Sequence, residues 1–257
     1  MSSLIDIHCH ILPGVDDGAK HMEESIAMAK EALEQGVYTI VATPSHMNGK
    51  HHNFKKEILK YVKDLNNRLV EEEVPLTVLP GQCIRINGDL LDSFESGHLL
   101  EMNVNSGYVM IELPQNHLPQ YMSQLIYDLQ LKGYRPILVH PEKHAQFIYE
   151  PDALYELVKK GLLVQVSTDS VIGKNSRKVQ KFVHEMIEAN LTHFIGTEAG
   201  DRSSYTFQAA VKEIRKKYGN ATVYYYLENA TLMTKGETVL GDEPIRMKKK
   251  KRILGII

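Results

Sequence analysis

Two histidines one residue apart raise the first question of chemistry. The opening run "LIDIHCHILPGVDDG" (Leu4–Gly18) carries His8 and His10 in a stretch that reads as a β-strand. A strand alternates sides with a period of two. With Leu4–His10 as a strand, Asp6, His8 and His10 share a face, and two neighbouring imidazoles can grip one divalent ion. The run breaks at Pro13-Gly14 and passes into Asp16-Asp17-Gly18, a turn pattern. Histidines at a strand's end followed by loop carboxylates suit a metal site at the mouth of a barrel. A bare His-x-His is a weak motif, so it needs partners farther along. Polar residues recur at the ends of later expected strands: Ser45 and His46, Cys83, Glu112, His140 and Glu198.

The elements that would position these residues alternate along the chain. Leu4–His10 is followed by a helix over Met22–Gln35, with Met22, Ile26, Ala29 and Leu33 on one stripe and Gly36 as its stop. "VYTIVAT" (Val37–Thr43) is continuously β-prone, as a strand buried on both faces should be. His52–Val70 reads as helix, Pro75–Ile86 as a strand running into a Pro-Gly turn, and Tyr108–Leu113 as a strand ending in Glu112. Leu118–Lys132 is a helix closed by Gly133, and Arg135–Glu142 a strand passing through His140. The rhythm continues with helix Leu154–Lys160, strand Leu162–Thr168, helix Arg177–Ala189, a strand and loop over Thr192–Asp201, and helices at Phe207–Tyr218 and Val223–Lys235. Repeated alternation without a composition break predicts one α/β domain with a parallel sheet over residues 1–245. No Gly-rich dinucleotide fingerprint follows the first strand, which favours a barrel over an open doubly wound sheet. His46, His51 and His52 read as a solvated loop.

Composition narrows the class. The chain has 257 residues, 24% charged and 43% hydrophobic, and a net charge of −2. That balance exerts no general pull toward nucleic acid or membrane. The 2 cysteines, Cys9 and Cys83, lie far apart and indicate no disulfide framework. No charged segment followed by an apolar core opens the chain, and no apolar run approaches the roughly 18 residues that cross a bilayer, so a cytoplasmic location is expected. The tail departs from the body: "RMKKKKRILGII" (Arg246–Ile257) is a basic block with an apolar end. Such a block is most often solvated, and otherwise suits an acidic partner segment or an anionic membrane surface.

The strings "DIHCHILPGVDDG", "VATPSHMNG", "LPGQCIRI", "YVMIEL", "LQLKGYRPILVHPEK" and "LTHFIGTEAGD" occur in this order over nearly the full length. Together they resemble the PHP-type (polymerase and histidinol phosphatase) protein-tyrosine phosphatases of Gram-positive capsule and exopolysaccharide operons. The resemblance implies a distorted (β/α)7 barrel of the TIM type. It implies a site of three metal ions, usually Mn²⁺, at the barrel's C-terminal face, and hydrolysis of phosphotyrosine on the Tyr-rich tail of a bacterial tyrosine kinase. Several bound cations neutralise a phosphoryl group and lower the pKa of a bridging water. Rim arginines grip phosphate bidentately.

Carried over residue by residue, the resemblance assigns metal binding to His8, His10, Asp17, Glu112 and His140. Elsewhere the chain departs from it. The family has His at Ser45, a metal-bridging Glu at Cys83, Asp-x-His at Glu198-Ala199-Gly200, and arginines near Lys143 and Tyr205. Glu198 would serve as a ligand one methylene longer than Asp. Cys83 offers one soft atom that must first lose its proton, which suits Zn²⁺ with His8 and His10 better than hard Mn²⁺. Lys143 and Arg202 are the candidate phosphate-binding cations. Two readings follow. One is a metal-dependent phosphatase working with fewer ions or a different one. The other is a non-catalytic relative that keeps its oligomer and kinase-binding surfaces and regulates the phosphorylated kinase.

Overall fold

The computed structural model of the chain describes residues 4–114 and 117–247. The strands, in chain order, are β1 (Leu4–Cys9), β2 (Val37–Ala42), β3 (Ser45–His46), β4 (Thr77–Pro80), β5 (Cys83–Arg85), β6 (Tyr108–Glu112), β7 (Arg135–Val139), β8 (Leu163–Ser167) and β9 (Phe194–Gly196). Every pairing between them is parallel. One ladder runs β1-β2-β4 and the other β3-β5-β6-β7-β8-β9. Short steps at Thr43-Pro44 and Gly81-Gln82 join β2 to β3 and β4 to β5, so the two ladders are parts of one sheet.

That sheet curls back on itself. Cys9 bridges Ala199 in the parallel sense. The His10 amide donates to the Ala199 carbonyl at 2.8 Å, and the Glu198 amide donates to the His8 carbonyl at 2.7 Å. Counted with β2–β3 and β4–β5 as one strand each, the described residues form a seven-strand barrel. Helices cover its outside, among them Met22–Glu34, Lys55–Glu71, Met122–Leu131, Pro151–Lys159, Arg177–Glu188, Phe207–Tyr218 and Asn220–Thr234.

Strand alternation divides the core. Met110, Ile137, Val139 and Phe194 gather with Cys83 and Tyr108 in one buried cluster. Their neighbours Ile84, Val109, Ile111, Leu138 and Ile195 join the larger cluster shared with the helices. Residues in step with Met110 and Tyr108 therefore reach the barrel mouth at Glu112, and the same alternation carries Cys83 to Arg85.

Three sequence expectations change. The single strand expected over Pro75–Ile86 is two strands, because the chain steps at Gly81. A Cβ there would lie 2.7 Å from Val41 Cγ1. The short strand Ser45–His46 and the helices Leu90–Glu95 and Thr168–Val171 were not expected. His46 is not solvated: it is buried, with its ring centroid 5.1 Å from that of Phe54.

Most of the basic tail, residues 248–257, lies outside the described residues. The segment leading to it is packed on the body. Arg246 pairs with Glu156 and, at 3.5 Å, with Asp152, and its guanidinium lies 4.3 Å from the Tyr155 ring centroid. Among the described residues, no helix is long and apolar enough to cross a membrane.

Acid stability has a specific source below the barrel. His193 is buried, its Nδ1 accepts from the Val164 amide at 3.1 Å, and burial pushes its pKa down to about 4. An unfolded His titrates near 6.5, so between those values the unfolded state binds a proton that the fold refuses. Stability is therefore lost as pH falls from about 6.5 to about 4, by about 3 kcal/mol for this group. His193→Gln, which can still accept from Val164, is expected to flatten that part of the stability profile in urea titrations at pH 7 and pH 4.5.

Candidate metal and phosphate site

The C-terminal ends of the strands converge on a cavity of about 490 Å³ that His10, Ser45, Arg85, Glu112 and Glu198 help to line. A neighbouring cavity of about 290 Å³ shares Glu112 and adds His140 and Lys143. The residues expected from six separate stretches of sequence are thus largely brought to one mouth.

Each N-terminal histidine is oriented by a specific acceptor. His8 Nδ1 lies 2.9 Å from Gln165 Oε1, while Gln165 Nε2 donates to the Val166 carbonyl at 2.7 Å. The amide oxygen therefore faces His8, so Nδ1 carries the proton and Nε2 the lone pair. Burial pushes the His8 pKa down to about 3, which keeps the ring neutral. His10 Nδ1 donates to Asp16 Oδ2 at 2.6 Å. Burial works against a charge on His10, but the Asp16 carboxylate outweighs it and raises the pKa. Asp16 also accepts from the amides of Ser45 at 2.9 Å and Gly18 at 3.0 Å. Gly18 is required by the close approach of this loop: a Cβ there would lie 2.5 Å from His10 Cβ.

The carboxylate that meets His10 is therefore Asp16, not Asp17. Asp17 reaches the cavity edge, but its side chain is 77% exposed and faces His51 at 3.4 Å and Lys50 at 3.9 Å. The adjacent acidic pair gave no sequence signal for the choice.

Across the mouth, two carboxylates are held by cations of the chain. Arg85 donates to Glu112 Oε2 from Nε at 3.2 Å and Nη2 at 2.9 Å. Lys143 donates to Glu198 Oε2. The other oxygens turn toward His140: its Nε2 lies 3.8 Å from Glu112 Oε1 and 3.5 Å from Glu198 Oε1. Burial opposes ionisation of Glu198, but His140 and the Lys143 ammonium outweigh it and hold the carboxyl at about 2. Burial lowers the His140 pKa, with Lys143 adding to the effect. Both His140 and Glu198 have left-handed backbones, φ 36° and 55°, where a side chain costs roughly 1 kcal/mol or more. Strained non-glycine residues of this kind cluster at functional sites.

Two other expectations are corrected. Cys83 is not presented as a soft ligand. It packs within the inner cluster, and burial, then the nearby Glu112 charge, pushes its thiol pKa well above the ordinary value. Arg202 does not reach the mouth. It is largely exposed and pairs with Glu31 of the first helix at 3.3 Å. Arg85, which sequence reasoning did not single out, is the guanidinium inside the cavity.

Among the described residues, no three His, Cys, Asp or Glu side chains stand together as a metal-holding group. In kind, the donor atoms nonetheless suit one ion. His8 presents Nε2 with Nδ1 occupied, as metal-ligating histidines do. His10 is held the same way, and the buried Glu198 Oε1 has no hydrogen-bond partner. Cys83 stays a buried thiol and Gly200 offers no side chain, so neither position supplies a further carboxylate or imidazole.

Comparison with known proteins agrees with this architecture. Residues 4–234 match the family model described as capsular polysaccharide synthesis, CpsB/CapC. The tyrosine-protein phosphatase YwqE of Bacillus subtilis is 40% identical over 96% of this chain and 98% of its own length. The putative tyrosine-protein phosphatase CapC of Staphylococcus aureus is 32% identical over 99% and 100%. A crystal structure from work on YwqE and the Streptococcus pneumoniae CpsB, described as unique metal-dependent tyrosine phosphatases, superposes with a TM-score of 0.93 over 96% of this chain and 100% of that one, at 40% identity. A phosphotriesterase homology protein from Escherichia coli, 12% identical with a TM-score of 0.54, shares the fold alone. The barrel, the converging histidines and carboxylates and the match across residues 4–234 together establish that this chain belongs to the CpsB/CapC family of capsular polysaccharide synthesis.

Proposed function

We propose that this chain binds phosphotyrosine on the Tyr-rich tail of a capsule or exopolysaccharide tyrosine kinase, in the cytoplasm, and turns it over slowly. One observation carries the reading: inside the mouth, Lys143 holds Glu198 and Arg85 holds Glu112. The cationic side chains thus balance carboxylates that relatives, by resemblance, devote to metal. Ser45, Cys83 and Gly200 stand where that resemblance expects further ligands.

Recognition needs no metal. Arg85 uses Nε and Nη2 on Glu112, and Nη1 remains outside that pair. A phosphate entering the mouth would take charge-assisted hydrogen bonds from Arg85 and Lys143, each worth roughly 1.5–3 kcal/mol. The relatives' designation as tyrosine phosphatases supports the phosphotyrosine class, and the family description supports the capsule context.

A second reading, a one-metal phosphatase, is favoured by the orientation of His8 and His10. His8, His10 and Glu198 would hold the ion, Mn²⁺ or Zn²⁺, with His140 and Glu112 beside them. When bound, the ion would polarise a phosphoryl oxygen and acidify a water. Arg85 and Lys143 would then orient the phosphate.

Calorimetric titration in chelator separates binding from turnover. A Tyr-rich peptide is expected to bind only when phosphorylated and more weakly at higher salt, because the mouth is open to solvent. Arg85→Ala with Lys143→Ala is expected to abolish that preference. Equal affinity for phosphorylated and unphosphorylated peptide would overturn the reading.

A further inference from the structure

The mouth places a cation of the chain on the carboxylate best suited to a metal. Of the two glutamates of the mouth Glu198 is the more enclosed, 13% exposed against 19% for Glu112, and Lys143 covers its Oε2. Its Oε1 is buried without a hydrogen-bond partner and lies 3.5 Å from His140 Nε2. A divalent ion held by the His8 and His10 Nε2 atoms would draw on this carboxylate.

The backbone of Lys143 is fixed beside the mouth. It ends the 3₁₀ turn Pro141–Lys143, directly after His140, and its amide donates to the His140 carbonyl at 3.0 Å. Glu142, fully buried between them, accepts from the Ser167 amide at 3.0 Å and fixes the turn to β8. The residue that carries the competing ammonium is therefore anchored to the same turn as His140. Two cations drawn to one carboxylate repel each other as like charges at close range. Moving the ammonium off Glu198 costs a partly buried ion pair, and leaving it in place puts a positive charge beside the incoming metal.

We infer that Lys143 is a built-in competitor of the metal: its ammonium occupies Glu198 and keeps divalent-ion affinity low, leaving a mouth that works without metal. This rests on the donor set described above, and it deepens the proposed function by naming what tunes metal occupancy.

The test is Mn²⁺ affinity, read by the free-ion electron paramagnetic resonance signal on the full chain. Lys143→Met and Lys143→Gln are each expected to bind Mn²⁺ at least about tenfold more tightly than wild type. The folded state of each is checked by circular dichroism. Arg202→Ala, which removes an equal charge paired with Glu31 outside the mouth, is expected to leave Mn²⁺ affinity unchanged. Unchanged or weaker affinity in both Lys143 variants would overturn the inference, as would an equal gain in Arg202→Ala. Failure of phosphopeptide binding by the wild type in chelator would count against the proposed function alone, since the Mn²⁺ comparison uses no peptide.

Discussion

The fourfold substitution Ser45→His, Cys83→Glu, Glu198→Asp and Gly200→His is expected to make both stability and turnover depend on Mn²⁺. The largest change comes from position 83. Glu112, Glu198 and Asp16 already raise the cost of a negative charge on the buried Cys83. A carboxylate placed there without metal is an uncompensated buried charge, at a cost of about 3–5 kcal/mol. Metal bound by the completed donor set would offset that cost by mass action. Gly200 accepts a side chain, since a Cβ there meets Gly18 Cα at 3.4 Å and Asp17 O at 3.5 Å, ordinary contacts. Thermal melts with chelator and with Mn²⁺ should therefore diverge for the variant and nearly coincide for the wild type. Phosphotyrosine turnover in Mn²⁺ should rise about a hundredfold or more, which corresponds to about 3 kcal/mol of added transition-state stabilisation. Melts of the variant that ignore Mn²⁺, with no gain in rate, would show that these positions do not define the metal site.

Asp6→Ala is expected to be among the most destabilising single changes in the chain, by about 3 kcal/mol or more. Asp6 is fully buried at the seam where β9 returns to β1. It accepts from the Thr197 amide at 3.0 Å, from Thr197 Oγ1 at 2.5 Å and from the His8 amide at 3.2 Å. Removing it leaves three buried donors to find other partners, and an unsatisfied buried group costs about 1–3 kcal/mol. Thr197 precedes Glu198, and the Ala199 amide donates to Thr197 Oγ1 at 3.1 Å, so the same bonds place the mouth's key carboxylate. Gly196 explains the closeness of this seam: a Cβ there would lie 2.7 Å from His8 Cβ. Asp6→Asn keeps an acceptor for the two amides and should cost markedly less. Urea unfolding of both variants checks the order, and equal losses would mean that the cavity, not the acceptors, sets the cost.

Much of this was legible from residue types. The apolar stripe from Met22 and the stop at Gly36 located a helix observed at Met22–Glu34. Polar residues at strand ends located His8, His10, Glu112, His140 and Glu198 at one mouth, because parallel strands with covering helices leave their C-terminal ends on one side. What remained hidden depends on side-chain partners distant in sequence. Arg202 looked like a rim cation until Glu31, on the first helix, took it. Arg85 looked like an ordinary strand residue, and only register across from Glu112 shows that it faces the cavity. Asp16 and Asp17 are the same chemically, and the path of the loop through Gly18 chooses between them. Cys83 stands among the ligands only through the resemblance, while a lone cysteine in a strand more often packs as a small apolar residue, and its burial among Met110 and Ile137 decides that it stays a thiol.

We propose that the mouth, balanced by its own cations, binds phosphotyrosine without hydrolysing it efficiently. Initial rates on one phosphotyrosine peptide, with saturating Mn²⁺, measured side by side for this chain and the 40%-identical Bacillus subtilis relative, test it most directly. A rate at least about a thousandfold lower for this chain is expected, the equivalent of about 4 kcal/mol of transition-state stabilisation. Rates within about tenfold of each other would overturn that proposal and identify the chain as a working metal-dependent phosphatase.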